Sequence, residues 1–103
     1  MDRNAYRLIL NYDIHPAHYE QYYRYMLGEF VPMMQQLGLR MLFAWHVYGD
    51  DYPQRQVEFI ADTRQIMHEA LNDTNYLDGQ VQLETYTINL RRKVVRFERP
   101  FQF

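Results

Sequence analysis

The hydrophobic period of this chain changes several times, and the order of the changes restricts the fold more than any other feature. Tyr6 to Ile14 alternates and is rich in strand formers, which predicts a half-buried strand. The period switches at Ile14-His15-Pro16. Proline at the first helical position leaves no amide unsatisfied, and Glu20 suits the positive end of a helix. Tyr19, Tyr22, Tyr23, Met26, Leu27, Phe30, Met33, Met34 and Leu37 then recur at three- and four-residue steps. They predict an amphipathic helix from Pro16 to Leu37. Pro32 lies inside it and predicts a kink near Gly28 to Phe30. Gly38 is the natural left-handed stop. Tyr19, Tyr22, Tyr23, Met26 and Phe30 read as core, whereas Tyr25 falls off the stripe and reads as a partner contact.

Leu39 to Tyr48 predicts a second strand, Gly49-Asp50-Asp51-Tyr52-Pro53 a turn, and Gln54 to Ala61 a third strand. Asp62 or Thr63 caps the next helix, with Gln65 returning a hydrogen bond if Asp62 is the cap. That helix runs to Leu71, is interrupted at Asn72-Asp73-Thr74, and resumes through Tyr76, Leu77, Val81, Leu83 and Tyr86. Leu90 to Phe97 predicts a last strand. The order is strand, helix, strand, strand, helix, strand. Right-handed crossovers in both strand-helix-strand units give an α+β, ferredoxin-like split βαβ fold. Its sheet has four antiparallel strands with both helices on one face. The length of 103 residues fits a single domain over residues 1–103.

Composition removes several function classes. Apolar residues form 48% and charged residues 23% of the chain, which argues against disorder. No apolar run is long enough to span a membrane. There are no cysteines, so disulfides, thiol catalysis and zinc–cysteine sites are excluded. Without cysteine or a secretory leader, the expected compartment is the cytoplasm. Arg91, Arg92, Lys93, Arg96 and Arg99 face one acid, Glu98, in residues 91–99, so the rest of the chain is net acidic. Alternation with Val94, Val95 and Phe97 makes this a charged edge strand rather than a free basic arm. The element order also matches RNA-recognition domains. Gln56-Val57-Glu58-Phe59 lacks their glycine and carries an acid, so no nucleic-acid partner is expected.

The sheet face opposite the helices is left bare, roughly 400 Å² in projection for four six-residue strands. Alternation assigns Leu8, Leu10 and Tyr12, then Met41, Phe43, Trp45 and Val47, then Val57, Phe59 and Ala61, then Val95 and Phe97 to the helix side. The bare face then holds Ile9, Asn11 and Asp13, then Leu42, Ala44, His46 and Tyr48, then Gln56, Glu58 and Ile60, then Val94, Arg96 and Glu98. That face is too apolar for open water and too polar for a dry core. A cavity between two such faces in a two-fold dimer satisfies both properties.

The element order, with Gly38-Leu39-Arg40 running into Phe43-Ala44-Trp45-His46-Val47-Tyr48-Gly49-Asp50, resembles the dimeric α+β barrel superfamily. The likeness covers nearly the whole chain and is nearest to small NIPSNAP-like and antibiotic-biosynthesis-monooxygenase-like proteins. It implies a homodimer, paired through the open sheet face, whose lumen takes a small ligand. The function it implies is binding or transforming a small apolar, aromatic or anionic molecule, in the manner of a cofactor-free oxygenase or an isomerase. The alternative is a non-catalytic module whose open face serves dimerisation alone.

The catalytic candidates are His46 as general base, Glu58 to orient it, and Asn11 as donor to an oxyanion or enolate. Asp13, Tyr48 and Arg96 are the ligand-binding candidates, Arg96 for an anionic group. The competing reading of these polar residues is a satisfied structural network. No cofactor and no metal are expected. His15 and His18 form a short pair without further ligands. Haem-degrading relatives use a first-strand asparagine, a tryptophan near the third strand and a helical histidine. Asn11 and His68 match, but Trp45 stands on the second strand. Phosphate loops, a nucleophile elbow and a His-Glu-x-x-His motif are absent.

Overall fold

The computed structural model describes residues 5–48 and 53–97; for Phe43, residues 45–48, Pro53, Gln54 and Phe97 it describes the backbone alone. The turn expected at residues 49–52, and Glu98 and Arg99, lie outside the described residues. β1 (Ala5–Ile14), β2 (Arg40–Tyr48), β3 (Pro53–Ala61) and β4 (Thr87–Phe97) form one antiparallel sheet ordered β2-β3-β1-β4. Leu8, Leu10 and Tyr12 of β1 and Val57, Phe59 and Ala61 of β3 are buried beneath the helices, as alternation predicts. No helix among the described residues is long and apolar enough to cross a membrane.

The long first helix is continuous but not uniform. A 3-10 turn at Pro16–His18 leads into α1 (Tyr19–Tyr25). His15 caps the turn, its Nδ1 accepting from the Ala17 amide at 3.1 Å. A π-helical turn spans Met26–Phe30 before α2 (Val31–Gln36). Pro32 is the cause. It has no amide for the Gly28 carbonyl and crowds it, so the backbone widens. The Val31 amide accordingly reaches back five residues to the Met26 carbonyl. Gly38 then ends the helix at φ 94°. The Gly38 amide donates to the Gln35 carbonyl at 3.1 Å and the Leu39 amide to the Met34 carbonyl at 2.9 Å. This double closure is a Schellman motif, which requires the left-handed conformation.

Thr63, not Asp62, caps α3 (Arg64–Leu71), its Oγ1 accepting from the Ile66 amide at 3.1 Å. Asp62 instead pairs with Arg40 at 2.8 Å, and no capping box involving Gln65 forms. Asp73 caps α4 (Thr74–Glu84). Gly79 lets α4 approach α2 and the π turn closely; a Cβ there would stand 2.8 Å from Met33 Cε and 3.6 Å from Phe30 Cδ1.

Aromatic rings join the layers. Phe30 meets Phe59 edge-on at 6.0 Å and Tyr76 at 6.3 Å, connecting the π turn to the sheet and to α4. The Tyr12 and Tyr22 hydroxyls share a buried hydrogen bond between sheet and helix. Tyr25 corrects an expectation. It is 5% exposed and donates to the Gly79 carbonyl at 2.8 Å, so it contacts α4 and is no free partner contact. The π turn places α4 beside a helix face that a single amphipathic stripe leaves to solvent.

Two outcomes test this packing. Gly38→Ala forces a left-handed alanine and brings its Cβ to 3.0 Å from Ile66 Cγ2. It is expected to lower unfolding free energy by about 1–2 kcal/mol in urea titration. Burial also raises the hydroxyl pKa values of Tyr12, Tyr22 and Tyr76, and burial followed by the charge of Glu29 pushes Tyr25 up to about 12. Unfolded tyrosines ionise near about 10. The folded chain therefore holds more protons between those values. Stability is full below about pH 10 and declines as pH rises toward 12. Tyr25→Phe is expected to make that decline shallower, read as the urea midpoint at several alkaline pH values.

Candidate functional site

Directly opposed residues of antiparallel strands share a face. On the side away from the helices the register sets Asn11 between Arg91 and Gln56, Ile9 between Lys93 and Glu58, and Arg7 between Val95 and Ile60. The middle of this face is a polar network. Arg7 NH1 lies 3.2 Å from Glu58 Oε1, and Gln56 Nε2 donates to Glu58 Oε2 at 2.7 Å. Glu58 is 2% exposed even in the single chain. Asp13 is also buried, and its Oδ1 meets no donor among the described residues. Asn11 is half-buried beside the network. Its carboxamide can both donate and accept.

Of the residues read from sequence, the structure brings Asn11, Asp13 and Glu58 onto the open face. Arg96 is a correction. It stands opposite Tyr6, which packs against the core, so it lies on the helix side of the sheet. Adjacent Val94 and Val95 made either parity of β4 equally apolar. Pairing with β1 decides it: Val94 opposes Leu8, whereas Val95 opposes Arg7. Arg92 accordingly reaches over α4, its guanidinium 5.9 Å from the Tyr76 ring centre.

The faces of β2 are corrected for a different reason. A register irregularity separates Met41, opposite Phe59, from Phe43, opposite Glu58. Such a bulge inserts one residue and ends strict alternation. Beyond it Ala44 opposes Val57, Trp45 opposes Gln56, His46 opposes Arg55 and Tyr48 opposes Pro53. Unbroken alternation of Met41 with Phe43 and Trp45 is therefore lost. The side chains of His46 and Tyr48 lie outside the described residues. The backbone partner of His46 is Arg55, not Glu58, and Arg55 donates to the Tyr23 hydroxyl on the helix side at 3.2 Å.

Other candidate constellations do not converge. His15 and His18 have ring centres 4.8 Å apart, but Nδ1 of His15 is engaged by Ala17, and no group of three metal-ligating residues forms among the described residues. His68 is exposed on α3, so the sheet stands between it and the open-face Asn11.

Sequence reading missed Arg91 and Lys93 as open-face residues. The displaced signal is Asn89, at φ 58°, within a second irregularity where Asn11 opposes Arg91 and Asp13 opposes Ile88. Asparagine tolerates the left-handed region, so an asparagine inside a strand marks a possible bulge. A groove of about 490 Å³ at this edge is lined by Asn11, Arg91, Arg92 and Lys93.

No protein-family model and no curated protein matches the sequence. Solved structures do match. A NIPSNAP family protein of Agrobacterium tumefaciens superposes with TM-score 0.66 at 9% identity, over 88% of this chain and 90% of that one. An antibiotic biosynthesis monooxygenase-like protein of Nitrosomonas europaea gives 0.62 at 13% identity, over 94% and 91%. SnoaB of Streptomyces nogalater, a cofactor-independent oxygenase, gives 0.58 at 12% identity, over 95% of each chain. At these identities the likeness is one of fold. The chain has the α+β, ferredoxin-like fold of NIPSNAP family and antibiotic biosynthesis monooxygenase-like proteins, in agreement with the resemblance read from its sequence.

Proposed function

We propose that two copies of this chain pair through their open sheet faces and enclose a cavity that binds a small, mainly apolar molecule and promotes its reaction. The observation that carries this reading is the composition of the open face. Ile9 and Ile60 share it with Asn11, Gln56, Glu58 and Arg7, and the helices leave it uncovered. A dry interface disfavours so many polar groups, and water disfavours the half-buried Ile9 beside them. A partly wet, enclosed cavity suits both.

In this reading the roles divide by what each group is free to do. Glu58 is held by Arg7 and Gln56, so it shapes the cavity floor and fixes the field there. Asn11 is the neutral donor for an oxygen that gains negative charge, the kind of group that stabilises an enolate or oxyanion. SnoaB, with the same fold, is a cofactor-independent oxygenase, which supports chemistry of that class without a resident cofactor. The engagement of Glu58 also favours the second reading, a structural network under a dimer contact.

Sedimentation velocity and a neutral fluorescent probe, N-phenyl-1-naphthylamine, separate the two. The expected result is a dimer at micromolar concentration that enhances probe fluorescence. Ile9→Arg sets a third cation opposite Lys93 and two residues from Arg7, beside the already paired Glu58, and is expected to give a folded monomer without enhancement, with an unchanged far-ultraviolet circular dichroism spectrum. A wild-type monomer rejects the paired barrel. A dimer that leaves the probe dark rejects the cavity and leaves the structural module.

A further inference from the structure

The cations of the sheet differ in whether they are matched. Arg7 is paired with Glu58 and Arg40 with Asp62. Arg55 contacts Tyr23, and Arg92 contacts Gln80 and Tyr76. Arg91 and Lys93 alone among the described sheet cations make no ion pair, side-chain hydrogen bond or ring contact with a described residue. Both belong to the open face, opposite Asn11 and Ile9. Two residues apart on a strand, their Cα atoms are separated by about 6.6 Å, a span that one carboxylate or phosphate group can bridge.

Guarding an edge strand does not account for them. A cation on either face of an edge blunts further pairing, and Arg92 and Arg96 already supply that from the helix side. Arg91 and Lys93 converge with Asn11 on a groove of about 490 Å³ at the sheet edge, where Arg92 also contributes to the lining. Asp13, the other acid of that face among the described residues, is buried and forms no ion pair with either. Once a second copy covers the face, two unmatched cations lose water, and desolvating an ion without a counter-ion is strongly unfavourable. A ligand anion offsets that loss.

Resting on the cavity reading above, we infer that the ligand carries an anionic group, a carboxylate or a phosphate, held by Arg91 and Lys93 with Asn11 as the neutral third donor. The apolar part of the ligand then lies over Ile9 and Ile60. This assigns to Arg91 and Lys93 the anion-holding role that the sequence pattern suggested for Arg96.

The test compares benzoate with benzamide, near-isosteric probes that differ in charge, by ligand-observed nuclear magnetic resonance on the full chain. Benzoate is expected to bind at least about tenfold tighter, equivalent to about 1.4 kcal/mol. The double variant R91Q/K93Q is expected to erase that preference while leaving benzamide binding and the dimer unchanged. Inorganic phosphate is expected to compete with benzoate and not with benzamide. Should the double variant fail to fold, Lys93→Gln alone is expected to lose part of the preference. Equal binding of the two probes overturns the inference and leaves the cavity standing. A double variant that dissociates to monomers also overturns it, because the cations then serve carboxylates of the second copy. If neither benzoate nor benzamide binds, the cavity reading itself fails and the anion inference falls with it.

Discussion

The burial of Leu8, Leu10 and Tyr12 against the helices is the constraint on which the rest of the molecule depends. β1 is a central strand, hydrogen-bonded to β3 on one side and β4 on the other. A slip of one residue would put Asn11 into the core and Leu10 outside. That exchange loses about 2–3 kcal/mol for the leucine alone, before the unsatisfied carboxamide is counted. The apolar side of β1 therefore fixes the polar side. Asn11 is presented to the open face because its neighbours cannot be. Val57 and Phe59 pin β3 in the same way and leave Gln56 and Glu58 on the far side.

The two edge strands obey weaker rules. Each carries a register irregularity, near Leu42 in β2 and near Asn89 in β4. Edge strands bury less surface per residue, so an extra residue that bends the strand is cheaper there than in the centre. The consequence is chemical. The second irregularity and the pairing of Val94 with Leu8 bring Arg91 and Lys93 beside Asn11 and send Arg92 and Arg96 to the helix side. Four cations that read as one basic run are divided by the sheet into two pairs with different surroundings.

The helical layer shows how a local defect is absorbed. Pro32 would break an ordinary helix, yet the π turn at Met26–Phe30 runs directly into α2, which carries Pro32 in its first turn. The widened turn keeps Phe30 in the core, against Phe59 and Tyr76, and sets Tyr25 against Gly79. Among the described residues, Tyr12, Tyr22, Tyr25, Phe30, Phe59 and Tyr76 are the buried aromatics, and four of them belong to this layer. Tyr12, Tyr22, Tyr25 and Tyr76 are all buried, with their hydroxyls bonded to one another, to a carbonyl or to a side-chain amide. Tyrosine suits a two-layer core whose helices meet the sheet near solvent, because the ring is buried and the hydroxyl still finds a partner.

The amino-acid sequence by itself determined the order of the elements, the left-handed stop at Gly38, the disturbed helix before Pro32 and the buried parity of β1 and β3. Each is set within a few residues: by a hydrophobic period, by a missing amide, or by the absence of a Cβ. It therefore placed Asn11, Asp13 and Glu58 on the open face correctly. The tertiary structure alone decided the parity of β4, the register of β2 beyond Leu42, and the burial of Tyr25. The physical reason is common to these. A bulge is fixed by which carbonyls a neighbouring strand offers, and the depth of Tyr25 by how closely Gly79 lets another helix approach. Those partners lie far away in sequence, and alternation along one strand carries no record of them.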